Sequence, residues 1–146
     1  MKLEGTFDVS APPERVFAFL TDATRLASIL PDVEQLEQDG EDSYKVRLRI
    51  GVSYIKGRFN VKLRIAQKTP SSRIVIEGNG TGSGSSATFT ALCDISGMEA
   101  GSKVNWSMDL QIGGLAAAVG SRMMSESVRK YIDNLVNAFR GAVSVE

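Results

Sequence analysis

The stretch from Gly114 to Arg140, GLAAAVGSRMMSESVRKYIDNLVNAFR, decides the fold. Leu115, Val119, Met123, Val128, Tyr131 or Ile132, Leu135 and Phe139 recur every three to five residues, which is the rhythm of one helical face. Arg122, Glu126, Arg129, Lys130, Asp133 and Asn137 occupy the other side. The spacing predicts one amphipathic helix from Leu115 to about Arg140, set off by the break at Gly113 and Gly114. Such a helix would span roughly 35 to 40 Å, so its apolar stripe requires a surface of similar length. A wide sheet supplies one.

The preceding residues read as that sheet. Lys2 to Val9 alternates, with Leu3, Gly5, Phe7 and Val9 on one side, as in a half-buried strand. Ser10 is placed to cap a short helix that starts at the Pro12–Pro13 pair and presents Val16, Phe17 and Leu20. Asp22 is placed to cap a second, carrying Leu26, Ile29 and Leu30 and stopped by Pro31. From Val33 the pattern returns to period two. Strands are expected at Val33 to Glu37, Tyr44 to Ile50, Arg58 to Ile65, Arg73 to Gly80, Ser86 to Ile95 and Val104 to Ile112, with a bend or bulge at Gly51 to Tyr54. The connections are too short for parallel crossovers. The expectation is an α+β fold, in which a seven-stranded curved antiparallel sheet wraps around a long C-terminal helix and two short helices follow the first strand.

A chain of 146 residues, 42% hydrophobic, suits one domain with a real core, taken as 1–146. The single cysteine rules out an internal disulfide and favours a reducing compartment. Histidine is absent altogether, which removes the commonest general base and metal ligand. The 17 bases and 17 acids balance, but they are segregated. Residues 1–42 hold ten acids and three bases, whereas residues 43–73 hold nine bases and no acid. Lys45, Arg47, Arg49, Arg58, Lys62 and Arg64 form an outward ladder, which is either a docking face or a solvated face with acidic neighbours.

By parity, Gly5, Gly57, Ala87 and Ala91 point inward beside Phe7, Phe59, Phe89 and Trp106. Small side chains opposite a long helix leave volume that either packing or a ligand must fill. The residues placed to line such a cavity are Leu30, Phe59, Phe89, Trp106, Met108, Leu115, Val119 and Met123, converging from the second short helix, the sheet interior and the start of the long helix.

The order strand, two helices, six strands, long helix resembles the helix-grip fold of the START and Bet v 1-like (SRPBCC) proteins. Within it, the detail resembles the carbon monoxide dehydrogenase CoxG family, over essentially the whole chain. The opening GTFDVSAPPERVFAFLTDATRLASILPDVEQLE, the glycines Gly78, Gly80, Gly82 and Gly84, and the junction WSMDLQIGGLAAAVGSRMM carry the likeness. The resemblance implies an accessory to a molybdenum hydroxylase of the carbon monoxide dehydrogenase type, through maturation, membrane docking or binding of a quinone-like molecule. Some members carry a membrane-anchoring extension after the terminal helix. This sequence ends at Glu146, so the expectation is a cytoplasmic protein whose membrane contact is peripheral and salt-sensitive.

The candidate chemistry is sparse. GNGTGSG, Gly78 to Gly84, lacks both the Lys-Ser/Thr of a phosphate loop and a helix beneath it, and reads as a glycine-rich hairpin. Cys93 has inward parity and no histidine to activate it. Glu77 and Asp109 have outward parity, which suits surface ion pairs. Tyr44 and Phe59 face away from the basic ladder, which argues against stacking on nucleic acid bases. The expected function is therefore non-catalytic binding of an apolar, lipid- or quinone-like molecule, with no metal or cofactor. Two alternatives stand beside it: an assembly adaptor with a fully packed core, and a cofactor-free lyase or cyclase.

Overall fold

The computed structural model describes residues 1–145. Strand β1 (Lys2–Val9) leads into α1 (Pro13–Leu20) and α2 (Ala23–Ile29). Six strands follow: β2 (Val33–Gln38), β3 (Ser43–Val52), β4 (Ile55–Thr69), β5 (Arg73–Gly82), β6 (Ser85–Met98) and β7 (Gly101–Gly114). A 3-10 turn (Leu115–Val119) then precedes α3 (Ser121–Val145). The strands form one antiparallel sheet in the order β1-β7-β6-β5-β4-β3-β2. Strands β2 to β7 are a meander of hairpins, and β1 closes against β7 with Leu3 opposite Met108 and Phe7 opposite Val104.

Local signals place most of these boundaries, and three readings are corrected. Ser10 does not cap α1. Pro12 takes the cap position with φ −68° and ψ 157°, and no side chain supplies a cap bond. What fixes this corner is a buried bond in which the Ser102 hydroxyl donates to Ala11 O at 2.6 Å. The Asp22 cap is as expected: its carboxylate accepts from Arg25 N at 3.1 Å. Gly51 to Tyr54 is a two-residue hairpin turn rather than a bulge. β3 runs on through Val52, and Ser53 takes φ +53° at the tip.

The third correction concerns the terminal helix. The stretch from Leu115 does not run into it, because Gly120 adopts φ +100°, a conformation outside the helical well. The long helix therefore starts at Ser121, and its 25 residues give a length of about 37 Å. Its apolar stripe builds two separate cores. Phe139 and Val143 join Val9, Val16, Phe19, Ile74, Ile95 and Val104 beneath the short helices. Met124, Val128 and Ile132 join Leu3 and Leu110 at the other end.

The first core turns on Phe139, whose ring meets Phe19 edge-on at 5.4 Å and Phe7 at 6.1 Å. Edge-to-face pairs of this kind add to the burial they accompany. Phe139→Ala should therefore cost about 3–5 kcal/mol of unfolding free energy. It should appear as a lower urea midpoint at unchanged slope. A loss below about 1 kcal/mol would mean that this ring does not join helix to sheet.

Candidate functional site

The helix meets the edge strand β1 on one flank and β3 and β4 on the other. Val128 and Ile132 pack towards Leu3 on the edge strand β1, and the Arg129 guanidinium donates to Glu4 O at 3.2 Å. Across the sheet, the inner-face residues Leu48, Phe59, Val61 and Leu63 of β3 and β4 stay only partly buried. They belong to neither core. Register makes them contiguous, with Leu48 opposite Phe59, Val61 beside Gly80 and Leu63 beside Gly78. The result is an apolar wall on the concave face that packing covers only in part, since Val46 and Ile50 beside these residues are buried and α3 touches both strands.

The residues expected to line a cavity divide into three groups. Phe89, Trp106, Met108 and Val119 are partly buried and pack against the second core. Phe59 belongs to the uncovered wall, and Leu30, just beyond the end of α2, is partly buried outside both cores. Leu115 and Met123 do not converge on the interior. Leu115 is 69% exposed on the 3-10 turn and Met123 is 43% exposed on the first turn of α3. Once Gly120 breaks the helix, the stripe inferred for one continuous element no longer keeps its phase.

The inward glycines also behave differently from a simple deficit of volume. A Cβ on Gly5 would lie 2.7 Å from the Trp106 ring, and one on Gly78 would collide with the Phe89 ring. These glycines seat aromatic rings flat on the sheet, so much of the space they vacate is already filled. Leu48, Val61 and Leu63 were legible as inward by parity, but nothing in the sequence says which inward residues the helix misses.

Polar chemistry near the wall is confined. The Tyr131 hydroxyl of α3 bonds the Asp32 carboxylate, which lies just before β2. Burial raises the phenol well above its usual range, and the Asp32 charge and hydrogen bond add to the effect. Asp32 is held in turn by its carbonyl, which accepts from Arg49 N at 2.8 Å. This pair joins residues distant in sequence, and no local pattern announced it. Burial pushes the Cys93 thiol up to about 11, with Asp94 contributing, so it is a protonated packing group rather than a nucleophile. Among the described residues, no three of His, Cys, Asp and Glu are gathered to hold a metal ion.

On the outer face, much of the segregated charge pairs within the fold. Lys45 meets Asp39 at 3.6 Å, Arg58 meets Glu34 at 3.2 Å, and Lys68 meets Asp42 at 2.8 Å. Arg64 meets Glu77 at 3.0 Å, as its outward parity suggested. Among the described residues, Arg47, Arg49 and Lys62 have no ion-pair partner, although Arg47 reaches Asn60 Oδ1 at 3.5 Å. An open recess of about 1440 Å³ is lined by outer-face residues such as Lys62, Glu77 and Thr90, and it also reaches Leu3, Leu63 and Phe89 and Arg129 of α3.

The architecture defines the class: a helix-grip protein of the START and Bet v 1-like type, with an apolar concave face. Solved structures agree in fold. A conserved protein from Geobacillus kaustophilus superposes with a TM-score of 0.93 at 21% identity, covering 99% of this chain and 95% of that one. A START superfamily protein from Mycobacterium smegmatis gives 0.76 at 11% identity, with 97% and 96% covered. A Chromobacterium violaceum protein gives 0.73 at 17%, with 98% and 97% covered. Among curated proteins none matches. The model of the carbon monoxide dehydrogenase CoxG family matches residues 5–144, and the chain belongs to that family. Membership supports a general non-catalytic role in binding small molecules.

The buried Tyr131 phenol beside Asp32 carries a signed pH dependence. A phenol whose folded pKa is raised contributes stability that is complete below the unfolded value near 10 and is lost as pH climbs towards the folded value. Tyr131→Phe should cost about 2 kcal/mol at pH 8, and the gap to the native protein should close as pH rises past about 10. A gap that stays constant through about pH 11 would show that the phenol is not buried against Asp32.

Proposed function

We propose that the protein binds an apolar, ring-bearing or acyl molecule between α3 and the β3–β4 wall, and carries it rather than transforming it. The observation that supports this is the contiguous set Leu48, Phe59, Val61 and Leu63, apolar, inward and partly exposed outside both cores. Leu30 borders it. Phe89, Trp106, Met108 and Val119 form the packed ground behind, and Leu115 and Met123 form an outer rim. Flat aromatic faces and adaptable Met and Leu side chains suit lipid- or quinone-like ligands. The Tyr131–Asp32 pair gives a ligand one polar point, from an oriented carboxylate and phenol. Transformation would require charge stabilisation at a reacting centre. The one thiol here is protonated, and the sequence holds no histidine.

Native mass spectrometry after organic extraction, with binding of apolar fluorescent probes, tests the reading. The native protein should release an apolar molecule and bind the probe, and Val61→Trp should abolish both while the thermal midpoint stays within a few degrees. Absence of any extractable molecule, together with absence of probe binding, would favour the competing assembly adaptor with a packed core.

The family suggests the recipient: a molybdenum hydroxylase of the carbon monoxide dehydrogenase type, for which this chain would be an accessory. The outer basic face supports docking to an acidic protein surface. Its register sets Arg49 opposite Arg58 and Lys45 opposite Lys62; Glu34 and Asp39 take up Arg58 and Lys45, which leaves Arg49 and Lys62 with Arg47 as the charges open to a partner. Any membrane contact in this reading is peripheral. Reversing Arg47, Arg49 and Lys62 to Glu should reduce binding to the hydroxylase by at least tenfold at low salt. Undiminished binding by the triple variant would remove this face from the interaction.

A further inference from the structure

A second, smaller recess of about 340 Å³ lies on the outer face over β3 and β4. Register sets Arg47 opposite Asn60 and Lys45 opposite Lys62, with Thr81 and Asn79 next across on β5. These six polar side chains make a block two deep and three strands wide. Val46 and Val61, between them, turn their side chains to the concave face. Three bases line the recess against one acid, Glu37. Lys45 is taken up by Asp39 at 3.6 Å and stands opposite Glu37. Arg47 and Lys62 have no carboxylate partner among the described residues, so two positive charges remain. They are diagonal neighbours on adjacent strands, a relation that spaces residues about 7–8 Å apart. Arg47 Nε donates to Asn60 Oδ1 at 3.5 Å. A guanidinium has no acceptor, so the oxygen of Asn60 is the atom that faces it and the amide nitrogen is the free end. Among the described residues, the side chains of Lys62, Asn79 and Thr81 make no hydrogen bond or ion pair.

We infer that this recess binds a dianionic phosphoryl group on a small, polar, water-soluble molecule, that is, a phosphate monoester. The terminal N–H groups of Arg47 form a planar fork that takes two phosphoryl oxygens, and Lys62 reaches a third. A monocarboxylate fills the fork alone and gains half the attraction from the two charges. Asn60 offers a further donor from its amide nitrogen. Asn79 and Thr81 stand beside the bases with both donors and acceptors, which suits hydroxyl groups on the body of the ester. No aromatic side chain lines the recess, so nothing here stacks on a nucleobase. The site rests on three neighbouring strands of one sheet, which hold the donors in fixed register. Its consequence rests on the docking reading above. Arg47 and Lys62 are two of the three bases assigned to the partner, so a bound ester competes with an acidic protein surface for them.

Titration of the purified protein with inorganic phosphate and with glycerol 3-phosphate, read by backbone amide NMR shifts, tests the inference. At low salt and about pH 8 both probes should bind with a dissociation constant of about 1 mM or below. The amides that move should be those of residues 45–47, 60–62 and 79–81. At about pH 5.5, where the phosphoryl group has lost one charge, binding should weaken at least about threefold. The chain has no histidine, so that change follows the ionisation of the ligand. Lys62→Gln and Arg47→Lys should each weaken binding at least about fivefold, the second because it keeps the charge and loses the fork. Arg49→Gln removes the third unpaired base, which lies outside the recess, and should change binding by less than about twofold. All three side chains are exposed, so the thermal midpoint should hold in each variant. No binding at about 10 mM phosphate overturns the inference. Equal weakening by Arg49→Gln overturns it too, since that marks a diffuse field rather than a site. Dihexanoyl phosphatidic acid, kept monomeric, should bind no more tightly than glycerol 3-phosphate, and tighter binding would overturn the assignment to a soluble ester. Hydroxylase binding is measured separately: its absence in the native protein would defeat the docking reading while leaving the phosphoryl site intact.

Discussion

The seating of α3 towards β1 is the contact on which the rest of the structure depends. Leu3 and Leu110 take up one flank of the helix through Met124, Val128 and Ile132, and Arg129 reaches the free carbonyl of Glu4 at the sheet edge. The helix also meets β3 and β4, so the curved sheet holds it from both flanks, while Leu48, Phe59, Val61 and Leu63 stay partly exposed. Burial of the packed part of the concave face supplies its stability. Each end of the helix is fastened in its own core.

Much of the architecture was legible because strands and helices obey two different periods. Alternation from Val33 to Ile112 gave the sheet, and the stripe through Val128, Ile132 and Phe139 gave the covering helix. What escaped was phase. Gly120 looked like one small residue in an Ala-rich start, yet its positive φ detaches Leu115–Val119 from the helix and turns Leu115 outward. The inward glycines were correctly assigned to the concave face, but their partners were not readable. Trp106 lies across Gly5 and Phe89 across Gly78, and such lateral contacts depend on rotamers and strand pairing rather than on spacing. Tyr131 and Asp32 meet only because α3 crosses the end of α2.

The segregation of charge also resolves in three dimensions. The acidic first third folds back as β2 and its turn beside the basic β3 and β4, so Glu34, Asp39 and Asp42 find Arg58, Lys45 and Lys68. Exposed pairs of this kind add little stability. Their effect is to leave a smaller, defined residue of positive charge at Arg47, Arg49 and Lys62, where the raw sequence showed a continuous ladder.

The pairing of β1 with β7 has a consequence for the order in which the chain acquires its shape. Met1 is bonded to Leu110, 109 positions later, whereas every other strand pairs with its immediate neighbour in sequence. During synthesis the hairpins from β2 onward can close as each emerges, at small loop entropy. Of the seven strands β1 is made before the others and has no sheet partner until β7 follows. While the strands between them are made, Leu3, Phe7 and Val9 are apolar residues on an unpaired strand.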